Sequence, residues 1–333
     1  MHKNKPGRAF WRRTLLALLL GSGVSLALAQ DEGGAGKPLI KPRPSEILPL
    51  TPKSLLLDIV RNDGRLFAVG ERGAIIVSAN GRDWAQVQVP VRATLTAIAF
   101  ADARNGWAGG HDASILHTSD GGRSWTLQNF KPDLEKPVLD LLALDAQHAI
   151  AVGAYGLMLS TADGGQTWNE VDTLGFDPDE LHLNAIAKLA NGDLFVAGEQ
   201  GLLAYSTDQG QTWTKQESPY EGSFFGVLPR GASGALIYGL RGNVYVSEDA
   251  RSGKWTALDT GTVDSMFGGA QLGERDVLVG LNGAILVVAA DGSVQRLRAE
   301  AGTPLSGIVG VNGNEVLAVG ESGVQGVKLS AHP

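Results

Sequence analysis

Seven related segments recur through the chain at intervals of about forty residues. FAVGERGAIIVSANGRDW begins at Phe67, and WAGGHDASILHTSDGGRSW, AVGAYGLMLSTADGGQTW, VAGEQGLLAYSTDQGQTW and IYGLRGNVYVSEDARSGKW follow it. Two worn copies, LVGLNGAILVVAADGSV and AVGESGVQGVKLS, end the series. The first glycines of the inner turns fall at Gly70, Gly109, Gly153, Gly198, Gly239, Gly280 and Gly320, with spacings of 39, 44, 45, 41, 41 and 40. A period of this length marks supersecondary units that bury their apolar faces only by stacking on one another.

Each unit reads as four strands. An apolar run such as TLTAIAF or LNAIAKL precedes a polar turn, and a Val/Ala/Leu strand then ends at glycine. A Gly-x-x-Gly hairpin leads into an alternating strand such as LMLST, and an acidic turn leads to a last strand starting at Trp. Short strands joined by glycine-bearing turns are hairpin signals. Four of them per period predict an all-β fold, a seven-bladed β-propeller over residues 46–330. The seventh copy ends before a fourth strand. The stretch EILPL at 46–50 is therefore expected to complete the last blade and close the ring, because an unsealed propeller exposes a sheet edge.

The acidic turns follow the pattern Ser/Thr-x-Asp-x-Gly-x-Ser/Thr-Trp, with Asp120, Gly122 and Trp125, then Asp163, Gly165 and Trp168, then Asp208, Gly210 and Trp213. Altered versions end at Trp84 and Trp255. An Asp side chain pins such a turn by accepting backbone N–H bonds, and glycine supplies a positive φ. A group repeated once per blade serves the scaffold, whereas a catalytic group has no reason to recur. One acid per turn also falls short of a calcium loop. The pattern resembles the Asp box of the BNR-repeat, sialidase-like propellers. Enzymatic members of that group imply an arginine triad, a Tyr–Glu pair and a Phe/Tyr-Arg-Ile-Pro motif. The chain has no such motif, and KPRP at 41–44 lies in the leader.

The ends and the charge narrow the function further. Five cations, Lys3, Lys5, Arg8, Arg12 and Arg13, precede the apolar run TLLALLLGSGVSLALA, which ends in Ala27-Leu28-Ala29. This predicts a cleaved export signal over 1–29, by the general or the twin-arginine route. A flexible Gly/Pro-rich leader follows over 30–45. Removing the signal takes the net charge from −7 to −12. Nucleic acid is therefore excluded as a partner, since phosphate binding needs excess Lys and Arg. No direct membrane insertion is expected after cleavage. The absence of cysteine excludes disulfides, thiolate metal sites and a cysteine nucleophile. The histidines, His2, His111, His117, His148, His182 and His332, show no metal-ligand spacing. No metal, cofactor or catalytic residue is expected.

What remains is a surface. The Gly-x-x-Gly hairpins present variable side chains on one face: Arg72, His111, Asp112, Tyr155, Gln200, Arg241 and Asn282. The longest connections share that face and carry Asp177, Asp179, Glu180 and Tyr220. Loops on a rigid scaffold are where binding concentrates. Exposed Phe176, Tyr220, Phe224 or Phe225 would add aromatic anchors.

An export signal, one seven-bladed propeller, V-G-x-x-G hairpins and weak Asp boxes together resemble the photosystem II stability/assembly factor family, including its secreted relatives in non-photosynthetic bacteria. The resemblance covers about residues 46–330. It implies a non-catalytic, exported scaffold that binds a membrane protein or envelope complex, in the periplasm or, in a phototroph, the thylakoid lumen. It also implies a basic, arginine-bearing binding patch, which no run of residues in this acidic chain marks. The alternative is a carbohydrate-active propeller, a divergent glycosidase or a glycan-binding module. A carboxylate pair or arginine cluster converging on the central funnel would favour it.

Overall fold

A computed structural model describes residues 40–171, 173 and 181–329. The predicted signal segment, most of the leader and the acidic residues Asp177, Asp179 and Glu180 lie outside the described residues, as does Phe176. From Lys41 onward the chain is one unit. It is a seven-bladed β-propeller. Among the described residues, six blades are antiparallel sheets of four strands in chain order, and the seventh has three.

Blade 1 shows the plan, with strands Leu56–Asn62, Arg65–Gly70, Ala74–Ser78 and Ala85–Val87 from the axis outward. The inner strands of blades 2 to 7 are Leu95–Phe100, Val138–Ala143, Leu183–Lys188, Phe224–Arg230, Met266–Leu272 and Leu305–Asn312. Each inner strand lies beside that of the next blade, and the seventh lies beside the first. Second strands such as LFAVG and LFVAG are buried nearly end to end. They are apolar without alternation because a neighbouring blade covers both faces. Outer strands alternate or are exposed, as in Thr214–Gln216.

The repeating glycine that ends each second strand has a steric cause. A Cβ on Gly70 would lie 2.1 Å from the carbonyl oxygen of Leu55, which accepts the N–H of Glu71. Blade 2 corrects the sequence alignment by one residue. There Gly110, not Gly109, meets the equivalent carbonyl, that of Thr94, at 2.0 Å.

The tryptophans of the acidic turns pack at the blade junctions. Trp125 packs with Phe67 and Val87 of blade 1, Trp168 with residues of blades 2 and 3, and Trp213 with Ile150 and Val152 of blade 3. Trp255 packs with Phe195 of blade 4, and Trp84 with Leu317 and Val309 of blade 7. Trp125 and Trp213 are buried, whereas Trp84, Trp168 and Trp255 are half-buried.

The ring does not close as the sequence suggests. Residues 46–50 form no strand, and the outermost strand of the last blade among the described residues is Gly323–Lys328. The segment is held on blade 1 instead. Ser45, placed in the leader by sequence, is buried and donates its N–H to the Val89 carbonyl. Gln86 accepts from Leu48 N through Oε1 and donates from Nε2 to the Glu46 carbonyl. Pro49 and Pro52 lack donors and turn the chain into a short helical turn, Thr51–Lys53, which touches the third strand of blade 7. The blade 1 to blade 7 junction is sealed by Leu56, Ile59, Leu317 and Val319.

Candidate binding face

The hairpin between the second and third strands and the acidic turn after the third strand sit at opposite ends of that strand. They therefore mark opposite faces of the ring.

On the turn face, hydrogen bonds within the chain occupy the acids. Asp120 Oδ1 accepts from the N–H groups of Arg123 and Ser124 and from Thr118 Oγ1, and Oδ2 accepts from Ser124 Oγ at 2.6 Å. Asp163 and Asp208 bond Thr167 and Thr212 in the same way. Thr118 Oγ1 also accepts the Gly122 N–H at 2.8 Å, and Thr161 and Ser206 do the same for Gly165 and Gly210. Desolvation of Asp120 is outweighed by its bonds from Ser124, Thr118 and Arg123, which bring its carboxyl down to about 2. Bonds from Thr167 and Thr212 bring Asp163 and Asp208 to about 2 as well. These carboxylates have their acceptor sites committed to the turn.

On the hairpin face, the tip residues adopt left-handed backbone. Arg72, Asp112, Tyr155, Gln200, Arg241 and Asn282 have φ between 51° and 60°. The turn needs that conformation at its second residue, so the position tolerates varied side chains only at some strain. All six except the half-buried Asp112 are exposed, as is His111. Tyr155, 49% exposed, sets its ring edge-on to His182 at 4.9 Å. The other described aromatics named from sequence are buried or half-buried. Phe224 is fully buried, Tyr220 stacks on Tyr245, and Phe225 packs on Phe267.

The same face carries an arginine cluster on blades 5 and 6. Arg296 and Arg298 line a cavity of about 520 Å³ with Gly261, Thr262 and Asp264, and Arg241 lines an adjoining one of about 600 Å³. Arg296 donates to the Gly261 carbonyl and Arg298 to the Asn282 carbonyl. Asp264 accepts from Asn282 Nδ2 at 2.8 Å and Arg298 Nη2 at 3.0 Å, which hold its carboxyl below the usual range. Val263, 81% exposed, stands beside them. Arg296 and Arg298 lie outside the hairpins and long connections that the sequence marks. Their spacing of two in QRLR, which puts both on one side of a strand, was the available signal.

Two carboxylates face the axis. Asp58 and Asp140 follow the irregularity at which their inner strands shift register. Asp58 accepts from its neighbour Ile59 N at 2.7 Å and from Ile98 N of blade 2 at 2.9 Å. Asp140 accepts from Leu141 N and from Ile186 N of blade 4, both at 2.8 Å. Thr96 and Asn184 join the alternate junctions, donating to the Val138 and Phe224 carbonyls. Burial raises Asp58 to about 6 and, with the charge of Asp58 added, Asp140 to about 7. The hydroxyl of Tyr238 shares this space. A Cβ on Gly226 would lie 2.0 Å from it, so only glycine leaves room. Burial and the two carboxylates keep the phenol protonated far above neutrality. Among the described residues no three potential metal ligands cluster.

No curated protein sequence matches the chain. Among solved structures, one described as YCF48 bound to D1 peptide is 18% identical, with a TM-score of 0.67 over 88% of this chain and 99% of that one. YCF48 from Cyanidioschyzon merolae is 16% identical, with a TM-score of 0.66 over 85% and 98%. The WD40 propeller domain of Doa1 is 11% identical, with a TM-score of 0.66 over 86% and 96%. These likenesses show the fold. The family model described as photosynthesis system II assembly factor YCF48 matches residues 76–136 and 126–304, more than half of the chain. The protein therefore belongs to the YCF48 assembly-factor family.

Proposed function

We propose that the protein is a non-catalytic scaffold, exported across a membrane, that binds a membrane-protein client through its hairpin face. The observation that carries this reading is the ring of exposed side chains at the left-handed tips, Arg72, Tyr155, Gln200, Arg241 and Asn282, on a closed rigid support. Beside it, Arg296 and Arg298 line a cavity suited to a carboxylate or to peptide carbonyls. Family membership supports the assembly role, and a relative solved with a D1 peptide supports a client segment of polypeptide. Asp58 and Asp140 are the axial pair that a sugar-cleaving reading would look for. In each, one oxygen accepts the N–H of the next residue in its own strand and the other accepts an N–H from the next blade, so the pair serves cohesion.

Cell fractionation followed by mild detergent solubilisation and affinity purification tests the reading. The expected result is the chain on the exported side, co-purifying with a membrane protein. That recovery should fall at least tenfold on Arg296→Glu/Arg298→Glu substitution. A cytoplasmic chain, or equal recovery by the variant, would overturn it.

A further inference from the structure

The junction between blades 5 and 6 lacks a tryptophan that five other junctions have. Five junctions, from blade 7/blade 1 to blade 4/blade 5, each receive one tryptophan from the acidic turn of the later blade. In blade 2, Thr126, one residue after Trp125, pairs with His117. In blade 6, Gln295, one residue after Val294, pairs with Val287. Val294 thus holds the tryptophan register with a far smaller side chain. The walls of the slot are nevertheless kept. Val77 and Val87 of blade 1 pack around Trp125, and their counterparts in blade 5, Val246 and Leu258, pack with Val294. Val171 takes the Leu258 position against Trp213, and Gln216 takes it against Trp255, accepting its indole N–H at 3.3 Å. With no indole in place, a groove of about 840 Å³ opens here. Val246 and Leu258 line it, with Arg230, Glu248, Lys254 and Asp291 around them. Arg230 holds the blade 6 turn through the Ala289 and Ala290 carbonyls at 2.7 and 2.8 Å. Its Nη1, 4.0 Å from Asp276, is buried and makes no hydrogen bond.

We propose that this groove is a binding slot for a tryptophan side chain presented by a polypeptide partner. The ring would take the place that the chain's own indoles take at those five junctions, between Val246 and Leu258. Lys254, which lines the groove, can donate to a carbonyl of the entering peptide. The slot opens on the turn face, away from the hairpin face, so it is a second site, independent of the client-binding reading above.

The test uses the folded chain with methyl-labelled Val and Leu, and the capped peptide Gly-Gly-Trp-Gly-Gly as probe. Its Leu-substituted counterpart serves as control. Saturable shifts at the Val246 and Leu258 methyls with the Trp peptide, at least tenfold weaker with the Leu peptide, are expected. Val294→Trp should fill the groove and abolish them, and Leu258→Lys should do the same should the first variant fold poorly. Absence of shifts at millimolar peptide, equal response to both peptides, or shifts that persist in both variants would overturn the proposal. Self-association that Val294→Trp removes would also overturn it, by making a second copy the occupant.

Discussion

Asp58 and Asp140 join blade 1 to blade 2 and blade 3 to blade 4 with carboxylates that burial brings to about 6 and about 7. An unfolded Asp titrates near ~3.9. A raised folded value means that the native state binds protons more tightly than the unfolded chain. Stability from these two groups is therefore fully present below about pH 4 and is lost as pH rises through 6 to 7. Asp120, Asp163 and Asp208, held at about 2, act with the opposite sign and lose their contribution as pH falls from about 4 to 2. The melting temperature should rise as pH drops from 8 to about 5 and then decline below 4. Asp140→Asn should flatten the upper limb. It should also lower overall stability, because an amide offers one acceptor where Leu141 and Ile186 need two. An unchanged slope between pH 5 and 8 in that variant would refute the assignment. Neither acid drew notice in the sequence, since SLLLDIV and PVLDLLALD read as apolar strands with an acid at the polar phase. Only the ring turns that phase toward the axis.

The blade carries its stability in the turn tryptophans, and their burial differs. Trp213 is buried against Ile150, Val152 and Leu194, so Trp213→Ala should cost about 3–5 kcal/mol in denaturant unfolding. Trp168 is half-buried and shares Gln128 Oε1 with Trp107, so its replacement should cost distinctly less. Equal losses would contradict the junction packing described here. Most of the blade could be read from sequence, because each strand type has its own pattern: unbroken apolar runs where neighbours cover both faces, and a forced glycine where an added Cβ would meet a carbonyl oxygen at 2.1 Å. The closing element could not be read. EILPL looks like a strand by composition, but Pro49 and Pro52 withhold donors, and the side chain of Gln86, forty positions away, captures its backbone. The hairpin tips were visible as variable residues in a fixed frame. Arg296 and Arg298 were not, because their neighbours on the face, Gly261, Asp264 and Asn282, come from other segments of the chain.

The whole ring presents two faces of different character. One carries acids whose oxygens are committed to local turns, interrupted by a groove at blade 5/blade 6. The other carries exposed tips and an arginine cluster, on a support whose inner strands close upon themselves. We propose that a membrane-protein client meets the second face. Photocrosslinking from single positions tests it most directly, with a crosslinking residue placed at Tyr155, Arg241 or Asn282 on the hairpin face and at Asp83 or Gln166 on the turn face. A crosslinked membrane protein is expected from the first three positions and none from the last two. Crosslinks to such a client from the turn face alone, or from neither face, would contradict it.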